Sequence, residues 1–210
     1  IPLNGTSNMG PEMYKMFTMT TNQWIQTPGI SDYYLVGDLN DPENIISPIF
    51  TDEFEDFAVK MKDWADKGYW PTDVLAATTD DKDNFLNDMA DAYISHQPDW
   101  TGQYGTMQTK LPGVDTEFFC FPETTGTIVA TRGSANMTLI NANSKIVKPA
   151  SYNEEWKKVA VQNPYTGFSF DDTDVSAELS AISNVNSQLG MQIMLGKTAQ
   201  DPKDAVAEYR

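Results

Sequence analysis

Positive charge is scarce in this chain: 14 lysines and arginines stand against 30 aspartates and glutamates, a formal net charge of −16. Nucleic-acid binding needs a basic face to neutralise phosphate, so the balance argues against that partner and against an anionic membrane surface. A surplus of acid keeps a protein in solution, and the plain reading is a soluble secreted or surface protein. There is one cysteine, Cys120 in EFFCFPE. A single cysteine excludes an intrachain disulfide and a Cys-rich zinc site. Flanked by Phe118, Phe119 and Phe121, it reads as a small buried hydrophobe, with no basic neighbour in sequence to lower its pKa. The one histidine, His96 in ISHQPDW, has no nucleophile elbow beside it and reads as a hydrogen-bonded structural residue at a strand end. No apolar run approaches the ~18–20 residues that span a bilayer. No signal peptide is recognisable, and the chain opens on IPLNGTSNMG without a methionine. The expectation is a processed or truncated piece of something longer.

Other chemistries also lack their parts. GTSNMG has neither the spacing nor the lysine of a phosphate loop, and there is no GxSxG or HExxH. Asp80, Asp81, Asp83, Asp88 and Asp91 crowd together, but a calcium loop needs a central glycine and a terminal glutamate. Here glycine is missing and Phe85-Leu86 interrupt the ligands, so a helix cap with a solvated acidic face is the better account. No metal and no cofactor are expected.

Apolar residues make up 40% and aromatics 11%, which argues for a folded, globular chain. No solenoid repeat is present. Residues 11–24 suggest a first helix with Pro11 near its start. Residues 27–50 are rich in turns, with DYYLVG as a short strand. The clearest helix is 52–67, where Phe54, Phe57, Ala58, Met61, Trp64 and Ala65 form one apolar stripe. Thr51 suits its N-cap, Lys67 its last turn, Gly68 the left-handed position after it, and Pro71 blocks resumption. A short helix over 81–90 has Asp80 as cap. DAYISHQ reads as a buried strand that PDW breaks, and TGQYGTMQTKLPG as a small helix or loop. TEFFCF, GTIVATR and ANMTLINANS read as strands, and 152–161 as helix. Residues 162–173 are irregular. A long helix over 175–190, capped by Asp174, precedes a GKTAQDP turn and a last helix. Helices separated by single strands define an α/β architecture in which helix dominates.

Sugars present apolar C–H faces and hydroxyl edges, so a sugar site needs an aromatic platform with polar residues around it. Two stretches supply this: Gln97-Pro98-Asp99-Trp100 and Tyr69-Trp70-Pro71-Thr72-Asp73. Trp64, on the helix stripe, belongs to the core. A glycosidase would need two carboxylates ~5–10 Å apart, and Glu123 is the one candidate member.

The order of these pieces resembles a known family. A capped helix ends in WADKGYWPTD, NFLNDMADAYISHQPDW follows, and GTIVATRGSANMTLINANSK comes later. This is similar to the extracellular solute-binding proteins of bacterial ABC importers, the large sugar-binding family. Asn87-Asp88 stand where that family usually has Gly-Lys. The tail NPYTGFSFDDTDVSAELSAISNV followed by GKTAQDPKDAVAEY looks like its oligosaccharide-type lipoprotein branch. The resemblance implies a helix-rich periplasmic-binding-protein-like α/β lobe with the N-terminal lobe largely absent. Residues 1–115 would hold second-lobe helices and strand, 116–145 hinge-type strands, and 146–210 the C-terminal helical part. It implies a non-enzyme that binds a sugar or oligosaccharide and delivers it to importer transmembrane subunits, outside the cell as a lipoprotein or in the periplasm. Trp100 would be the stacking platform and Asp99 the hydroxyl acceptor, with Gln97, Tyr69, Trp70 and Arg132 next. The family order also allows Tyr69-Trp70 to be a packing turn. A secreted carbohydrate-active enzyme domain and a surface interaction module are the alternatives.

Overall fold

The computed structural model describes residues 2–3, 9–10, 13–14, 17, 24–27, 35–77, 81–92, 97–115, 128–130, 158 and 160–210. The predicted strands over 116–121 and 135–144 lie outside them, as does Arg132. Strands β1 (Trp24–Gln26), β2 (Val36–Asp38) and β3 (Ile45–Ile46) form an antiparallel sheet, with Ile25 opposite Gly37 and Gly37 opposite Ile45. Residues 13, 14 and 17 are helical as expected, but Trp24 is a strand residue rather than the end of that helix.

Helix α1 (Asp52–Asp66) is the centre of the molecule. Phe54, Phe57, Ala58, Met61 and Ala65 are all buried, because their spacing puts them on one side of the cylinder. Asp52, Glu53 and Glu55 sit at its positive end. Thr51 is the N-cap by position, but its hydroxyl donates backwards to the Pro48 carbonyl instead of accepting from the helix. At the other end Gly68 takes φ +74°, its N–H reaches the Ala65 carbonyl, and the Tyr69 N–H reaches Trp64. These two bonds are the Schellman stop, whose usual companion is an apolar contact across the turn. Here the contact is Trp64 against Tyr69, ring centroids 5.8 Å apart. Trp64 is half-buried, at the margin of the core rather than inside it.

Helix α2 (Asp81–Leu86) stops in the same way, with the Asp88 N–H on Phe85 and the Met89 N–H on Asn84. Its left-handed position falls on Asp88, at φ 60°. A side chain in that conformation is strained, and glycine is not. Replacing Asp88 by glycine should therefore raise stability by about 0.5–1 kcal/mol, read as a higher urea midpoint at unchanged m-value.

Helix α3 (Gln97–Lys110) begins earlier than the sequence suggests. Pro98 does not break the chain there. It lies in a first helical turn, where its missing N–H has no partner to lose. Strands β4 (Ile128–Ala130) and β5 (Ala160–Gln162) pair in parallel, Val129 opposite Val161. Ala160 and Val161 are thus strand, not the end of a 152–161 helix, although Lys158 is helical.

Helix α4 (Ser176–Val185) runs through a π-turn (Asn186–Gly190) into α5 (Met191–Met194). The expected Asp174 cap is not used. The turn before α4 is instead held by Asp171, whose carboxylate accepts from the Thr173 backbone N–H and hydroxyl, and those bonds hold its pKa below the usual range. A third Schellman stop, with Gly196 at φ +61°, ends α5. Helix α6 (Pro202–Tyr209) is capped by Asp201, which accepts from the Lys203 N–H. Helices α5 and α6 pack on α1, so Ile193, Met194, Leu195, Ala205, Val206 and Tyr209 join its apolar face in one core. Arg210 closes the group, donating to the Ile49 and Thr51 carbonyls and to Glu55 at the start of α1.

Candidate functional site

The expected site residues divide according to the job that the fold gives each. Trp70 is 1% exposed, and its indole N–H donates to the Leu195 carbonyl at 3.0 Å. A buried Trp whose one donor is satisfied inside the core has no ring face left for a sugar. It is withdrawn from the candidate site. Tyr69 is half-buried, with its ring on Trp64 as the apolar part of the helix stop. Trp70 thus packs the turn, while Tyr69 stays half exposed.

Gln97, Asp99 and Trp100 share the first turn of α3 rather than a loop at a strand end. The N–H groups of that turn have no partner within the helix, and Asp99 suits its positive end. Backbone contacts hold the chain up to Ala92. Leu3 and Ala92 form a parallel bridge, the Leu3 N–H donates to the Tyr69 carbonyl, and the Ala92 N–H donates to Pro2. The segment Pro2-Leu3 therefore lies between the Tyr69 turn and Ala92, and the chain reaches α3 five residues after the bridge. Gln97 to Trp100 follow that bridge in sequence as the opening residues of α3.

A further contact escaped sequence reasoning. The Tyr165 hydroxyl donates to the Pro42 carbonyl at 2.7 Å and lies directly over Gly37, where an added Cβ would meet it at 1.6 Å. Burial pushes this phenol above its ordinary pKa. The Asn163 side chain, itself buried, accepts from the Tyr165 N–H and sets the turn. The Asn-Pro pair at 163–164 marks such a turn in sequence, but nothing there points to Pro42. Among the described residues no group of three His, Cys, Asp or Glu side chains could hold a metal ion, and no helix is long and apolar enough to cross a membrane.

Likeness to solved structures places the chain in a class: it has the fold of part of a periplasmic-binding-protein-like molecule. The particular likeness is to the N-glycan transport solute-binding protein NgtS of Streptococcus pneumoniae. With that protein's complex with Man1GlcNAc the TM-score is 0.56 at 16% identity, over 100% of this chain and 70% of that one. With a second crystal structure of NgtS the TM-score is 0.55 at 17% identity, over 89% of this chain and 55% of that one. At such identity the likeness defines the fold. Residues 164–210 match the family described as "Domain of unknown function (DUF3502)". No curated protein matches the sequence.

Proposed function

We propose that this chain forms the ligand-holding lobe of an extracellular solute-binding protein, which takes up an oligosaccharide and hands it to an ABC importer. The observation that carries the reading is the position of Gln97, Asp99 and Trp100 on the first turn of α3, just beyond the Leu3–Ala92 bridge. It gains support from alignment of the whole chain with a protein whose described ligand is a mannose–N-acetylglucosamine glycan. In this reading Trp100 stacks on the C–H face of a sugar ring, Asp99 accepts from its hydroxyls, and Gln97 does both kinds of hydrogen bonding. Arg132 and Tyr69 are secondary contacts. No bond is made or broken. Closure of a second lobe over the sugar is the event that a permease senses. A lipid-anchored or periplasmic location belongs to the same proposal.

Titration calorimetry with mannose–N-acetylglucosamine oligosaccharides should give saturable heat accompanied by a change in tryptophan emission. Trp100→Ala should weaken binding about tenfold, ~1.4 kcal/mol, by removing the platform. A panel of glycans that gives no heat at all overturns the reading.

A further inference from the structure

A concave site lies on the C-terminal helices, apart from α3. It is a cleft of about 190 Å³ between the π-turn, the 198–200 turn and α6. Ile193 and Ala205, 1% and 5% exposed, form its floor together with Leu189. Its walls carry Gln192, Gln200 and Glu208.

The polar groups of those walls are partly engaged with the protein. The Gln192 amide nitrogen donates to the Gln188 carbonyl, and the Gln200 amide nitrogen donates to Glu208 Oε2 at 2.8 Å. The Thr198 hydroxyl, also on the wall, donates to the Gln200 carbonyl. One N–H of each amide is thus engaged with the protein and the other is left. The wall also offers Gln192 Oε1, Gln200 Oε1 and the Glu208 carboxylate as acceptors, and that carboxylate is the one charged group lining the cleft. The cations of the flanking turn and helix, Lys197 and Lys203, do not line the cleft, and Lys203 lies 3.8 Å from Glu55 instead. An apolar floor under a rim whose one charge is negative suits a group with an alkyl stem and a donor-rich cationic head.

We infer that this cleft receives an alkylammonium or guanidinium group. The inference does not depend on the sugar reading, because it uses none of the α3 residues. The net charge of −16 favours approach of such cations in general, so the test must separate the cleft from the acidic surface.

The whole chain, labelled with ¹⁵N, is titrated with n-butylammonium and with agmatine. Saturable shifts centred on Thr198, Ala205 and Glu208 are expected. Glu208→Gln should weaken binding at least tenfold. Gln192→Leu, which leaves the Gln200–Glu208 bond in place, should weaken it several-fold. Asp204→Asn removes an exposed carboxylate from the same helix and should change nothing. A short peptide with one central arginine distinguishes the sources of the group. Tighter binding than agmatine assigns a partner protein's side chain, and equal binding assigns a free amine. Shifts that never saturate, or an Asp204→Asn loss equal to that of Glu208→Gln, overturn the inference.

Discussion

Replacing Gly196 by alanine should cost about 3–5 kcal/mol, enough to remove most of the stability of a domain this size. Two separate penalties add. At φ +61° any side chain is strained, by roughly 1–2 kcal/mol. The new Cβ would also lie 2.2 Å from the Met61 carbonyl oxygen and 2.8 Å from Lys62 Cα. Those are backbone atoms of α1, which cannot swing aside as a side chain can, so the two helices must part. Chemical denaturation followed by circular dichroism measures the loss. Gly68→Ala is the internal comparison. It has the same left-handed conformation, but nothing lies within 4 Å of its would-be Cβ, so only the conformational penalty should appear.

Trp70 gives the second large effect. Trp70→Ala should destabilise by about 3–5 kcal/mol through loss of packing and the cavity that remains. Trp70→Phe keeps much of the packing but leaves the Leu195 carbonyl without its donor, for a cost of about 1–3 kcal/mol. The phenylalanine variant should bind sugar as the parent does. A loss of affinity comparable to that of Trp100→Ala would return Trp70 to the ligand site.

Local signals were legible in the sequence. The α1 stripe and its Gly68 stop can be read directly, since both are written within one or two turns. The stop after α2 uses the same two hydrogen bonds, but Asp88 occupies the glycine position, and the motif passes unnoticed. Pro98 misleads for the opposite reason: a proline that looks like a breaker is tolerated because it falls in a first turn. Strands of two or three residues carry too little alternation to be read, which is why β1 and β3 were absent from the expectation. The sequence reads as one long helix over 175–190. The π-turn slips its phase, so Ile182 and Val185 remain 43% and 42% exposed while Ile193 to Leu195 are buried. At the candidate site, the aromatic and polar character of 97–100 was visible early, and its helical setting was not. The cleft on the C-terminal helices was invisible, because its walls come from three elements that meet only on folding.

The ties across the core have a consequence for the route by which it forms. Trp70 reaches Leu195 across 125 positions, Tyr165 reaches Pro42 across 123, and Arg210 reaches Ile49 across 161. Contacts of such separation are slow to find, since a long loop must close before any of them is rewarded. During synthesis α1 emerges more than a hundred residues ahead of α5 and α6, with Phe54, Met61 and Trp70 lacking the surface that will cover them. The nascent chain therefore carries an exposed apolar face while the residues between α1 and α5 are made, and the acidic first turn of α1 flanks that face with charge, a placement that disfavours association.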